Sequence, residues 1–494
     1  MRNGNASVGE RGGGTLPEQD APLSLARAAR EAPVLVVAWS AEPGHVGEAL
    51  VPVPGRRFVF GRGLATGDDP EPRLFLVRQR PGENAVAEPL TTPRISRVQL
   101  TIVSDGDRLT VESPGMLPLT LRGVRVERCV VSPGDVLHLG RQLVLVCVRR
   151  PSLFAGAPAE RHPFGTVDAD GLVGESAAAW EIRERIAYLA ARSEHALILG
   201  PSGSGKEVVA QAIHARGRRE ARPLLSRNAS TLPEGIVDAE LFGNARGYPH
   251  AGIPERPGLI GQANGTTLFL DEIGDLPVGV QTHLLRVLDA GEYTRLGEAT
   301  PRHSDFRLIA ATNRPLSALR SDVLARFQLR LELPTIAARK EDLPLLVEHE
   351  IRRIATYDPI ARRYLDEEGR PRLDLAWVVS LLARRFETNV RELQTLLWDA
   401  LGRSPTDVLG EGLEAPSEAP AHADERGDAG DPAEATGQER VENERERVER
   451  VLAEHNGSLE DAWRALGLAN RYALRRLLKK HNIAVVKRHS QSGD

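Results

Sequence analysis

The sequence predicts a multidomain protein: an N-terminal all-β sandwich, a central α/β P-loop domain with a helical lid, and a C-terminal all-α segment. Three observations predict this. Before about residue 150, apolar residues come in short runs between turn signals. From 167 to 337, apolar runs alternate with helical patterns, as in a parallel sheet with crossover helices. Two of those runs, Ala196–Leu199 and Thr267–Leu270, lead directly into Gly200-Pro-Ser-Gly-Ser-Gly-Lys206-Glu207 and into Asp271-Glu272. The length, 494 residues, agrees with about three to four domains.

Each element follows from its residues. Residues 1–32 are rich in Gly, Ala and charge, lack an apolar signal core, and are expected to form a disordered arm. Residues 33–150 carry the sandwich runs Val34–Val37, Arg57–Phe60, Leu74–Val77, Val98–Val103, Arg108–Val111 and Gln142–Val146. Cys129 and Cys147 fall in such runs and read as small core residues of a reducing compartment, not as a disulfide. Residues 151–166 read as a linker, 167–337 as the α/β core, and 338–403 as the helical lid. Residues 404–440 read as an acidic, disordered linker, because 411–440 hold nine acidic residues against two basic ones. Helical periodicity returns over 441–486, with helices expected at 441–455, 459–466 and 470–481.

The net charge of −4 excludes a general polycation, so any nucleic-acid surface must be local. The tail offers one: residues 471–488 contain seven basic residues and no acidic one. On the third helix, Leu474, Leu477 and Leu478 share one face, while Tyr472, Arg475, Arg476 and Lys479 share the other. No stretch approaches the ~18 apolar residues of a membrane span, so the expected location is cytoplasmic, with no membrane partner.

The two motifs of the central domain point to nucleotide hydrolysis. Glycines at 200, 203 and 205 let backbone N–H groups face phosphate oxygens, and Lys206 adds a charge beside the β- and γ-phosphates. The helix that follows presents its positive N-terminus to the same anion. Asp271 would hold magnesium, directly or through water, and Glu272 would activate the attacking water. Either motif alone has a plain structural reading as a turn or a cap. Position 207 is Glu, where P-loops usually place a Ser or Thr on the metal.

Further segments stand in a recognisable series: Leu241-Phe-Gly243, Gly265–Pro277, Leu284–Leu288, Gly291–Gly297, Leu308–Asn313 and Asn389-Val-Arg-Glu-Leu393. Over about 167–403 the chain resembles the AAA+ domain of bacterial enhancer-binding proteins, the ATP-dependent activators of sigma-54 RNA polymerase. Glu207 is normal in that family. The resemblance implies that ATP is held by Gly200, Pro201, Ser202, Gly203, Ser204, Gly205, Lys206 and Glu207, by Val173 and Gly174 on the adenine side, and by the second-sensor Arg391. It implies that Asn313 is the sensor of the γ-phosphate and that Asn228 holds the catalytic glutamate in an inactive pose. Arg320 and Arg326 match the pair that reaches a neighbour's site, so a homo-oligomeric ring, expected as a hexamer, is implied. An arginine from outside suits the charge that builds on transferring phosphoryl oxygens.

One segment departs. Where the family carries Gly-Ala-Phe-Thr-Gly-Ala to touch sigma-54, this chain reads Gly247-Tyr-Pro-His-Ala-Gly252. Pro249 removes a donor and His250 cannot mimic a small hydroxyl, so weak or absent remodelling of sigma-54 polymerase is expected.

The outer domains carry resemblances of their own. Gly61-Arg62, Ile95–Leu100 and Pro133–Gly140 resemble a forkhead-associated (FHA) domain, which implies phosphothreonine recognition by Arg62 and Ser96 with help from Arg97. Gln99 stands where that family has a structural histidine, and Leu117-Pro118 where it has Asn-Gly. The tail resembles a Fis-type helix-turn-helix, implying DNA contacts from Arg471, Tyr472, Arg475, Arg476 and Lys479. The leading expectation is a DNA-bound, ATP- and magnesium-dependent transcriptional regulator. Two alternatives stand beside it: a non-enzymatic DNA-binding adaptor with a relic nucleotide site, and an ATPase acting on a target other than sigma-54.

Overall fold

The computed structural model describes residues 31–67, 69–156, 162–413 and 478. The arm, most of the acidic linker and the three tail helices, with Arg471, Tyr472, Arg475, Arg476 and Lys479, lie outside the described residues.

The N-terminal domain is built from β1 (Glu31–Ser40), β2 (Ala49–Leu50), β3 (Arg57–Phe60), β4 (Val77–Arg80), β5 (Glu83–Val86), β6 (Leu100–Ser104), β7 (Leu109–Glu112), β8 (Leu119–Leu121), β9 (Val124–Val126), β10 (Arg128–Val131), β11 (Val136–Leu139) and β12 (Leu143–Pro151). One sheet runs β5-β4-β2-β1-β12-β11-β8-β9 and the other β10-β7-β6-β3. The fourth strand starts at Val77; Leu74 instead donates to Val59 O from an irregular segment. Cys147 is buried in the core and Cys129 is half-buried, both free thiols.

β1 and β12 pair antiparallel and carry apolar residues on both faces. One face, with Leu35, Val37, Leu143, Leu145 and Cys147, fills the sandwich core. The other, with Val34, Val36, Ala38, Val144 and Val146, joins a second core with Leu343, Leu345, Leu346, Trp377 and Leu381. A strand covered on both sides reads as a continuous apolar run rather than an alternating one. The sandwich is therefore packed onto the lid through a shared core, not merely tethered to it.

The central domain contains β13 (Ala196–Leu199), β14 (Leu225–Asn228), β15 (Thr267–Asp271), a small hairpin β16 (Glu292–Tyr293) and β17 (Arg302–His303), then β18 (Arg307–Thr312) and β19 (Leu329–Glu332). Its main sheet is parallel, in the order β14-β15-β18-β13-β19. The helices are α1 (Ala177–Ala190), α2 (Lys206–Ala215), α3 (Val237–Phe242), α4 (Gly258–Gln262), α5 (Val278–Ala290) and α6 (Ser321–Leu324), followed in the lid by α7 (Leu343–Ala355), α8 (Pro359–Arg362), α9 (Leu375–Ala383) and α10 (Val390–Arg403). β13 lies between β18 and β19, and the carboxyl ends of β13, β15 and β18 open the crevice in which doubly wound sheets place ligands.

Two boundary expectations change. Residues 404–413 are not loose linker: Leu409 is buried, its N–H donates to Arg372 O, and Gly410 lies against Trp377. The expected linker 151–166 is also packed where it is described. Phe154 is buried and bridges to Pro81, and Gly165 N donates to Glu175 at 2.9 Å. In both places apolar or glycine residues within a polar stretch find cover on neighbouring elements.

Candidate nucleotide site

Lys206 opens α2 behind Gly205, a left-handed residue with φ 98° that leaves the helix N-terminus free of any side-chain cap. Its side chain is 7% exposed, and its Nζ donates to Gly200 O at 3.1 Å and Pro201 O at 3.3 Å. The ammonium thus lies folded along the loop, 3.6 Å from Glu272 Oε1. Ser204 Oγ is buried beneath the loop without a hydrogen-bond partner. Glycine is required at 203, where φ is +72° and a Cβ would stand 2.2 Å from Thr388 O of the lid. Glu207 is exposed in the first turn of α2, where its charge favours the positive helix end.

The acidic pair ends β15. Parallel pairing sets Asn228 on β14 opposite Asp271. In consequence the Asn228 amide reaches Asp271 Oδ2, at 3.4 Å, and not the glutamate it was expected to hold. Its oxygen is taken up by Ser230 N at 2.9 Å and Ser230 Oγ at 2.7 Å. Glu272 adopts φ +52° and accepts from Asn313 N at 3.0 Å. Asn313 therefore engages the glutamate through its backbone, and the residue itself is exposed. Burial first, and then the neighbouring Glu272, push the Asp271 carboxyl above its ordinary value. Adjacent carboxylates at the mouth of a phosphate loop are a fitting donor set for a magnesium ion, whose charge would favour the ionised form of Asp271.

The lid closes on the same loop. Arg391, on the first turn of α10, donates to Ser202 Oγ at 2.6 Å. Asn389 was missed as a site residue. It is 1% exposed with φ +51°, donates to Ser202 O at 3.0 Å and accepts from Ile336 N at 2.9 Å, so it pins the P-loop to the start of the lid. Its signal was its place in the Asn-Val-Arg-Glu-Leu motif. Asp342 was missed as well. Fully buried ahead of α7, it accepts from Glu175 N (2.8 Å), Ser176 N (2.9 Å) and Ser176 Oγ (2.6 Å). Val173 is buried, and Gly174 at φ +129° passes so near Asp342 that a Cβ would lie 2.5 Å from its Oδ2.

Arg320 and Arg326 have partners away from the loop. Arg320 donates to Asp322 at 2.6 Å and Thr282 Oγ1 at 3.1 Å, and Arg326 pairs with Asp289.

The segment 247–252 lies between α3 and α4. It is closed at its base by Gly247 N to Ile253 O at 2.9 Å and by buried Asn244, which donates to Ala245 O and Pro254 O, both at 3.0 Å. Tyr248 rests on Gly297 beside the β16–β17 hairpin, and residues 246–252 are exposed.

On the sandwich, Arg62 Nε is buried without a partner, and Arg62 N donates to Ser96 O at 3.2 Å. Gly61 permits this approach, since a Cβ there would lie 2.3 Å from the carbonyls of Ser96 and Arg97. Ser96 Oγ accepts from Met116 N at 3.0 Å, and Arg97 is exposed. Gln99 is fully buried and cross-links three segments, accepting from Ser96 N (3.2 Å) and donating to Ser113 Oγ and Leu117 O (both 3.1 Å). A buried amide thus ties the Ser96 backbone to the Ser113–Leu117 turn.

Fold and site together define the central domain as a P-loop core of the AAA+ type with a helical lid. Residues 172–337 match the family model of the Sigma-54 interaction domain, an AAA+ ATPase family. Similar curated proteins include the DNA-binding transcriptional regulator NtrC of Bradyrhizobium sp. (strain RP501 Parasponia), 38% identical over 252 residues, 50% of this chain and 51% of the relative. The nitric oxide reductase transcription regulator NorR1 of Cupriavidus necator is 34% identical over 330 residues, 62% of each chain. A crystal structure of NtrX from Brucella abortus aligns at 28% identity over 63% of this chain and 69% of that one, with a TM-score of 0.44. The chain spans about half the length of the NtrC it matches. Among the described residues, no helix is long and apolar enough to cross a membrane.

Proposed function

We propose that this chain is an ATP-hydrolysing, ring-forming, DNA-binding transcriptional regulator of the sigma-54 activator type. One observation carries the reading. Lys206, Asp271, Glu272 and Arg391 meet around one phosphate-sized loop at the head of a parallel sheet, with the lid fastened to that loop. The loop amides and Lys206 bind the triphosphate. Glu272, aligned by Asn313 N, takes the proton of the attacking water as that water bonds to the γ-phosphorus and the β–γ bridging oxygen departs with ADP. Asp271 would hold magnesium, directly or through water, and the ion would supply charge that offsets that of the phosphate oxygens. Arg320 and Arg326 serve the site of a neighbouring copy, so turnover requires assembly.

The sandwich is read as an FHA-like input in which Arg62 and Ser96 receive phosphothreonine, and residues 441–486 as a Fis-type DNA-binding tail. The replacement residues Pro249 and His250 in the loop at 247–252 favour one further reading, an ATPase whose target is not sigma-54.

The test is the ATPase rate against protein concentration. A steep rise, abolished by Lys206→Ala, supports the ring enzyme, and a flat zero refutes it. Open-complex formation with sigma-54 polymerase tests the loop: robust activity overturns the second reading. Titration with a phosphothreonine peptide, with Arg62→Ala as control, tests the sandwich.

A further inference from the structure

The described unit carries a buried polar junction that the hydrolytic machinery does not use. Glu175 follows Val173-Gly174 directly, and its side chain is 1% exposed. It accepts from Arg80 twice, at 2.7 and 3.3 Å, from Gly165 N at 2.9 Å and from Trp180 Nε1 at 3.2 Å. Its own N–H goes to Asp342 at the head of the lid. Arg80 comes from β4 of the sandwich. Its guanidinium lies 5.5 Å above both the Phe164 and Trp180 rings and donates to His162 O at 2.8 Å. Of the other cations around the junction, Arg183 is engaged by Asp168 at 2.6 Å and by Gly174 O at 2.9 Å, Arg78 donates to Glu48 at 2.9 Å, and buried Arg339 interacts with Asp342 and Glu341. His162 stands 3.8 Å from Glu175, and burial holds it below its ordinary value, hence neutral near pH 7. Arg80 is thus the charge that balances buried Glu175.

We propose that Arg80 of the sandwich is a positioning residue for nucleotide binding. It holds Glu175, and through it the Val173-Gly174 strap, against Asp342 and the lid. The inference rests on the reading that this strap borders the adenine. Gly174 is held from three sides: its carbonyl by Arg183, the next N–H by Asp342, and the next side chain by Arg80. Removing one partner of a buried ion pair strands the other charge. Without Arg80, Glu175 must turn toward water or take a proton, and either change loosens the strap. A sandwich that shifts on the lid, for instance when its loops take up a ligand, would retune nucleotide affinity without touching Lys206 or Glu272.

The experiment uses the full chain and a fluorescent adenine nucleotide for Kd, with ATP hydrolysis for KM and kcat. Arg80→Ala is expected to raise Kd and KM about 10-fold or more, with kcat at saturating ATP within about 2-fold, the signature of lost ground-state binding. Replacing the pair together, Arg80→Met with Glu175→Gln, removes the stranded charge and is expected to recover most of the lost affinity, giving strong coupling in a double-mutant cycle. Should Arg80→Ala fail to fold, Arg80→Lys, which keeps charge but not the two-pronged fork, is expected to bind about 3- to 10-fold more weakly than wild type. Wild-type Kd in both Arg80 variants, or no recovery in the double variant, overturns the inference while leaving the ATP reading intact. Failure of the wild type itself to bind the nucleotide overturns both.

Discussion

If the sandwich and lid share one core, a single lid side chain should matter to both. Leu345 is the sharpest probe. It is 2% exposed on the first turn of α7, and its methyls stand 3.2 Å from where a Cβ on sandwich residue Gly47 would be and 3.0 Å from the same point on Gly165. The side chain is wedged into the interface, so neighbours cannot easily collapse into the gap left by Leu345→Ala. Loss of three buried carbons costs roughly 2–3 kcal/mol in transfer energy. The residual cavity brings the expected cost to ~2–5 kcal/mol. The same truncation at a tethered, wetted interface would cost under ~1 kcal/mol. Urea unfolding of the full chain, followed by a fluorophore attached to the lid and by circular dichroism of the strands, measures it. The two probes should shift together in the variant. A loss below ~0.5 kcal/mol, or strand and lid transitions that part company already in the wild type, would refute the shared core.

Other consequences follow from the same geometry. Gly203→Ala places a methyl against Thr388 O at a left-handed φ, so it should part lid from loop and weaken nucleotide binding by about 10-fold or more with unchanged circular dichroism, measured by nucleotide titration. Glu272→Gln should retain nucleotide binding and lose about 10²- to 10⁴-fold in hydrolysis, read as single-turnover rate. Asp271 reverses the usual carboxylate linkage. Its folded-state value is raised, so the folded chain holds its proton more tightly than the unfolded chain, and stability falls as pH rises past the ordinary Asp value. Asp271→Asn should therefore melt higher than wild type at pH 7 yet be inactive, and a lower melting temperature would contradict this. Gln99→Ala should strand Ser96 N and detach the Ser113–Leu117 turn, costing about 2–4 kcal/mol and any phosphopeptide affinity together, checked by urea unfolding and peptide titration.

The legible parts of this molecule were those encoded locally. Gly200 to Lys206 and Asp271-Glu272 announce themselves because phosphate binding needs consecutive residues, and the parallel sheet follows from apolar runs of strand length alternating with helical patterns. Contacts between distant segments were opaque. Asp342 meets Glu175 and Ser176 across most of the central domain, and nothing near Asp342 in the chain foretells that it is buried. Asn228 lies opposite Asp271 rather than Glu272, because strand register, not motif, decides which residues face each other. Arg80 sits in a strand that reads Val-Arg-Gln-Arg and looks solvated. The signal that could have revealed the docked sandwich was present but unread. Val34-Leu-Val-Val37 and Leu143–Val146 do not alternate, and an antiparallel strand with one wet face should.

That pattern bears on how an input could reach the nucleotide. A sandwich on a flexible tether can act only by changing local concentration, or by blocking a surface. A sandwich whose sheet supplies seven of the 28 buried residues of the lid's hydrophobic core acts differently, because packed interfaces move as units and do not deform smoothly. The lid carries Arg391 and Asn389 onto the P-loop at one end, and Leu345 and Trp377 into the sheet face of β1 and β12 at the other. A displacement of the sheet that this close-packed core does not absorb is passed to the loop. Sandwich ligands and nucleotide should then be thermodynamically coupled, each altering the affinity for the other by the same factor. Equal shifts in both titrations would bear this out, and strict independence of the two would mean that the shared core stays rigid under load.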